Sequence, residues 1–320
     1  MSWHGWSIQL PLLYVAVAAS LYWIGGRGFR VAGRSGWHEA SFAAGLATIV
    51  IALESPLDGY ADKLFWVHML QHVLLLTAAP PLILLGKPWP RMWRAIPLRW
   101  RAPAGRTLAR ARWTAPVRAL ARPVPAFVLF NATVLGWHLP AAYDATLTHS
   151  LIHDSEHAMF FFIGLLFWAR VVDPGPLRPR LVWPMRLVFV VGSMVVGWGL
   201  AITLVMIQHP IYSFYADLAS RPGGISALAD QQLAAGVMWV PGSIAYGLTV
   251  VIGLYRWLEP TPPASRSVAR EAAASDPWDP RSGPAPGRNG PAPFPEPEAY
   301  TNGSERPQPA TSPSKTLTTI

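Results

Sequence analysis

Apolar residues run along the chain in seven stretches, at 8–24, 37–54, 64–85, 123–138, 154–171, 184–207 and 232–255, separated by segments that hold most of the charge. Each is close to the roughly 20 residues that a helix rising about 1.5 Å per residue needs to cross hydrocarbon. The pattern predicts an all-α integral membrane protein, a bundle of seven transmembrane helices filling residues 1–258. The first stretch ends near Ala18-Ala19-Ser20, as a signal peptide would. Met1–Ser7 has neither Lys nor Arg, however, and a secretory leader needs positive charge ahead of its apolar run, so the stretch is read as a retained span.

Charge gives the bundle a direction. The 25–36 segment holds Arg27, Arg30 and Arg34, and the 86–122 segment holds Lys87 and a series of arginines from Arg91 to Arg122. The connection after the fifth stretch holds Arg170, Arg178, Arg180 and Arg186. The alternate connections carry only Lys63 and Arg221. The positive-inside rule then places the N-terminus outside and the C-terminus in the cytoplasm. Trp23, Trp37, Trp66, Trp137, Trp168, Trp183 and Trp257 fall at the ends of the stretches, where an aromatic belt is expected. The stretch RMWRAIPLRW (91–100) puts Trp93 and Trp100 among arginines and suits the anionic inner leaflet.

Composition agrees. Apolar residues are 52% of the chain and charged residues only 13%, about half the soluble share. The net charge of +9 follows from arginines that topology explains, so nucleic acid is not an expected partner; the lipid bilayer is. Cysteine is absent, which excludes disulfides, thiolate metal sites and CxxC redox chemistry. From 259 to 320 the character changes to a run such as DPWDPRSGPAPGRNGPAPFPEPE, which cannot bury a core and is expected to form a disordered cytoplasmic tail.

Within this apolar frame the histidines stand out, because an ionisable group at membrane depth is costly and usually functional. The predicted topology puts His4, His68, His72, His138, His149, His153, His157 and His209 towards the outer side and only His38 towards the inner. A step of four residues turns a helix about 40° beyond a full revolution, so His68 and His72 share a face. If the segment from 149 is helical, His149, His153 and His157 form one stripe, which Glu156 joins. Glu54, Asp62, Asp144, Asp154 and Asp230 lie on the same side. Two imidazoles at this spacing are a familiar way for one helix to supply two metal ligands. A single histidine in a span is, by contrast, often a packed residue bonded to a carbonyl.

Several lookalikes weaken on inspection. HDSEH (153–157) has the H-x-x-E-H form of inverted zinc peptidases, but nothing else supplies a third ligand or substrate access. HMLQH (68–72) lacks the glutamate of H-E-x-x-H. The lysines, Lys63, Lys87 and Lys315, fall outside the spans, which leaves no Schiff base for retinal. Haem held by two histidines of different helices, such as His72 and His157, stays open. Covalent c-type haem does not, since C-x-x-C-H is missing.

Three blocks, WVHMLQHVLLLTAAPPLILLGKP (66–88), WHLPAAYDATLTHSLIHDSEHAMFFFIGLLFW (137–168) and DQQLAAGVMWVPG (230–242), resemble the multi-span CtaG family of cytochrome c oxidase assembly factors. The resemblance covers most of 1–258 and implies a non-enzymatic, multi-pass protein of the bacterial plasma membrane. Such a protein would help mature a haem–copper oxidase through copper, with an oxidase subunit as partner. It carries the family's positions onto His68, His72, His138, His153 and His157, with Asp230 and Gln231 at the polar start of the last span. Imidazole and thioether are the soft ligands left to a chain without thiolates, and they suit copper. The expected ligands are therefore His68, His72, His138, His153 and His157. His149, Glu156 and Asp230 are further ligands, or groups that hold imidazoles through their second ring nitrogen. A haem-binding or haem-handling protein is the alternative. A copper importer or exporter is a third reading, which the nearly uncharged inner halves of the third, fourth and fifth spans disfavour.

Overall fold

The computed structural model describes residues 10–27, 36–112, 114–172 and 181–259. All of its regular structure among these residues is helical. Four long helices correspond to late or central apolar stretches: Phe65–Leu85, Ser150–Val172 (α11), Trp183–Met206 (α12) and Ala227–Leu258 (α14) are each long and apolar enough to cross a membrane. Thr114–Leu120 (α8) and Pro123–Trp137 (α9) meet at 81° and make a fifth if the bent pair is one span. The two earliest stretches are also helices, Leu10–Gly26 (α1) and Trp37–Glu54 (α2), at 17 and 18 residues. The proline-rich tail, apart from Glu259, lies outside the described residues, as do His4, Arg30, Arg34, Arg178 and Arg180.

Phe65–Leu85 is a composite. α4 (Phe65–Val73) passes through a π-helical turn, Leu74–Ala78, into α5 (Ala79–Leu85). The cause is local: Pro80 and Pro81 have no N–H, so the carbonyls one turn earlier lose their helical donors. The freed Leu76 carbonyl accepts the indole N–H of Trp168 at 3.0 Å. Trp168 is fully buried and does not belong to an interfacial belt. Gly164 lets α11 come this close, since a Cβ there would lie 2.9 Å from the Leu76 oxygen.

The earlier helices pack around this composite. Gly45 of α2 sits against α5, and a Cβ would meet Ile83 Cγ1 at 2.6 Å and Ile83 N at 2.9 Å. Gly45→Val should therefore cost about 1–3 kcal/mol, read as lower thermal stability in detergent, because the neighbouring backbone cannot move aside as a side chain could. At the far end from His68 and His72, Arg91 of α6 (Pro88–Ala95) donates to Glu39 and lies over the Tyr22 ring at 4.4 Å. The Tyr22 hydroxyl donates to Gly86 O at 2.9 Å, so α1, α2 and the start of the arginine-rich segment are fastened together. That segment continues as α7 (Leu98–Arg110), with Trp100 exposed. Ser193 ties α12 to α9 by accepting from the Asn131 amide at 3.0 Å, whereas Gly197, one turn on, has nothing within 4 Å of an added Cβ.

Two apolar clusters leave a polar layer between them. One is built on Phe160, Phe167, Trp168, Leu75 and Phe130. The other gathers Phe65, Met69, Tyr143, Tyr212 and Tyr215 against Ala234 and Ala235 of α14. Short helices α3 (Pro56–Ala61), α10 (Pro140–Thr148) and α13 (Ser213–Ala216) close this second end of the bundle.

Candidate metal centre

The i, i+4 pairs of two helices face each other. α4 presents His68 and His72, whose ring centroids are 4.5 Å apart, and α11 presents His153 and His157 at 4.3 Å. Across the gap His68 lies 5.1 Å from His153 and 5.8 Å from His157, and His72 lies 5.4 Å from His157. Glu156 enters the same space, with Oε2 at 3.8 Å from His68 Nε2 and 3.6 Å from His72 Nε2. Ligand atoms of His68, His153 and His157 all fall within 4.8 Å of one another, and so do those of His68, His72 and Glu156. His68 belongs to both triads.

The protonation pattern can be read from the partners. His68 Nδ1 is 3.1 Å from the Tyr215 hydroxyl, which itself donates to Ala61 O at 2.5 Å. The hydroxyl therefore accepts from Nδ1–H, and His68 turns a lone pair on Nε2 into the cluster. The Nε2 atoms of His68, His72, His153 and His157 and both Glu156 oxygens are buried without a hydrogen-bond partner. Buried imidazole nitrogens and a carboxylate turned towards one another without partners are unfavourable unless something positive sits among them. The donor set thus fits a metal cation.

Aromatic rings hold the arrangement. Tyr143, fully buried, packs 5.3 Å from His68 and 4.3 Å from Tyr212, and Phe160 lies 4.4 Å from His72. His153 is the most exposed imidazole of the four. Asp58 interacts favourably with it and unfavourably with Asp62 and Asp154. Partial burial raises the Asp58 carboxyl above the usual range, although its bond with Gln71 opposes the shift. Acidic groups beside His153, the least buried of the four, give this side of the cluster a field that attracts cations.

The other expected residues sit differently. His138, at the end of α9, donates Nδ1–H to Val134 O at 2.7 Å and turns Nε2 towards Met69 Sδ at 3.3 Å, with its ring 6.4 Å from His72. His149 does not join the stripe: it caps α10 in extended conformation, is exposed, and bonds through Nδ1 to Thr148, because α11 begins one residue later. Asp230 does not hold an imidazole; its oxygens accept from Phe65 N at 2.9 Å and Trp66 N at 3.0 Å. Gln231 likewise serves the backbone, accepting from Ile211 N and donating to Leu204 O. His38 is bonded to Leu85 O at the opposite end. Tyr143 and Tyr215 are not among the expected residues; both come from short connecting helices whose sequence has no periodic signal.

Every helix that supplies the cluster lies inside residues 20–259, the region matched by the family model for the cytochrome c oxidase caa3 assembly factor (Caa3_CtaG). The uncharacterised proteins Mb0105 of Mycobacterium bovis and MT0111 of Mycobacterium tuberculosis are each 27% identical over 224 residues, covering 68% of this chain and 33% of theirs. ML1998 of Mycobacterium leprae is 24% identical over 225 residues, with the same coverage. The matched part is therefore about a third of the length of these curated relatives. No solved structure matches the chain. With the family model covering most of its length, the chain belongs to the cytochrome c oxidase caa3 assembly factors.

Proposed function

We propose that this protein binds copper through His68, His72, His153 and His157 with Glu156, and passes it to a subunit of a haem–copper oxidase. It does so from the outer face of a bacterial plasma membrane, in a seven-span arrangement with the N-terminus outside. The observation that carries this reading is the convergence of buried, unpartnered imidazole nitrogens and a carboxylate from two facing helices. Nitrogen and oxygen donors without thiolate suit copper among several divalent ions, and copper heads the affinity order. The seven-span arrangement is supported by the helicity of all seven apolar stretches and by the alternation of arginine-rich connections.

The overlap of the two triads suits delivery. An ion held by His68, His153 and His157 can exchange ligands one at a time for His72 and Glu156 while His68 stays bound. Such a site retains its substrate without locking it into four fixed ligands. The close approach of the rings also favours an ion over haem, because a porphyrin would need a flat slot between its two axial imidazoles.

The test is the metal and haem content of the detergent-purified protein after copper loading and desalting. At least one copper ion per chain without a Soret band is expected. A Soret band without copper would replace this reading with the haem one, and the absence of both would overturn it.

A further inference from the structure

Beside the cluster lies a second pair of donors. His138 Nε2 and Met69 Sδ face each other at 3.3 Å, and both residues are buried. This contact is not a hydrogen bond. The Val134 carbonyl can only accept, so the neutral ring carries its proton on Nδ1, and a thioether has none to give. Two soft lone pairs pointed at each other need an electrophile between them or beside them. A third donor is at hand: His72, with both ring nitrogens buried and unpartnered, lines the same cavity of about 60 Å³ as Met69 and His138. The cavity is also lined by Asn131, Ser193 and Met238, but not by Glu156 or His153.

We infer that Met69, His138 and His72 form a second metal station, selective for a soft monovalent ion of the Cu(I) type, beside the histidine–glutamate cluster and sharing His72 with it. The difference in donors sets the preference. A thioether and neutral imidazoles bring no charge and favour Cu(I), whereas the Glu156 carboxylate favours the more highly charged ions. His72 faces both stations, so an ion reaching it from His68 can take up Met69 and His138 without meeting water. The inference rests on the proposed copper function and adds a second stop to it: the ion passes from the acidic mouth near His153, by way of His72, to the thioether. No change of oxidation state is needed, because an ion delivered as Cu(I) stays Cu(I) throughout.

The experiment is anaerobic Cu(I) titration of the full chain in detergent against a chromogenic competitor, with X-ray absorption of the loaded samples. Wild type should hold two Cu(I) per chain and show a sulfur scatterer. Met69→Leu, which keeps the volume and packing, should hold one and lose the sulfur signal. His68→Gln/His153→Gln should also hold one, but keep it. A wild-type spectrum free of sulfur, or an unchanged count and sulfur signal in Met69→Leu, would overturn the second station. If a single sulfur-free ion is lost in His68→Gln/His153→Gln, the first site stands and the second falls. If the wild type holds only one ion, bound to sulfur, and that ion survives the change, the second stands and the first ligand assignment falls. No bound Cu(I) in wild type would overturn both.

Discussion

His68→Ala should weaken copper binding at the first cluster by at least about 10³-fold, and Glu156→Gln by roughly 10–100-fold, since even groups that only support metal-bound histidines are worth that much. His68 is the larger loss because it is the imidazole common to both triads. Glu156→Gln carries the more diagnostic result, because its effect on stability should change sign with the metal. Glu156 Oε2 stands 3.8 Å from His68 Nε2 and 3.6 Å from His72 Nε2, and none of these atoms has a hydrogen-bond partner. A glutamine amide in the same place can donate to the His68 nitrogen and removes a buried charge. The metal-free variant should therefore gain about 1–3 kcal/mol over metal-free wild type, measured by thermal unfolding after chelation. In the copper-loaded proteins the order should reverse, because tighter binding stabilises the wild type by mass action. A variant destabilised in both states would assign Glu156 to packing and not to the ion.

How much of this was legible in the sequence depends on how local the signal is. Hydropathy marks the helices of the seven apolar stretches because each stretch is contiguous in sequence. The pairs His68–His72 and His153–His157 follow from helical spacing alone, and both face the cluster as that spacing requires. His149 has the same spacing from His153 but belongs to another helix; the break at His149 depends on α10 ending there, which periodicity does not record. Pro80-Pro81 announce freed carbonyls, yet the donor that satisfies one of them is Trp168, 92 positions away. Tyr215 is similar, being 147 positions from the His68 ring it fixes. Such partners are set by tertiary packing, and a single chain carries no spacing rule for them.

Asp230→Ala should produce the largest loss of stability among changes outside the cluster, about 2–4 kcal/mol, and lower copper affinity roughly 10-fold or more. The residue starts α14, but its carboxylate works on α4. Leu64, in the N-cap position of α4, makes no side-chain cap, and the first two N–H groups of the helix, on Phe65 and Trp66, donate to Asp230 instead. A helix N-terminus needs acceptors for these groups and favours negative charge. Asp230 provides both from 164–165 residues away, in a fully buried position. Alanine would leave two enclosed donors without acceptors, and the first turn of α4 would loosen. His68 stands one turn further on, so its ring would lose the fixed position from which it joins both triads. Asp230→Asn is the informative comparison: it keeps one acceptor but turns an NH2 group towards the other N–H, so it should recover less than half of the loss. Thermal unfolding and copper titration of the two variants would show this graded order. Wild-type stability in Asp230→Ala would mean that α4 is held by its packing against Ala234 and Ala235 alone, and that the metal site does not depend on this distant cap.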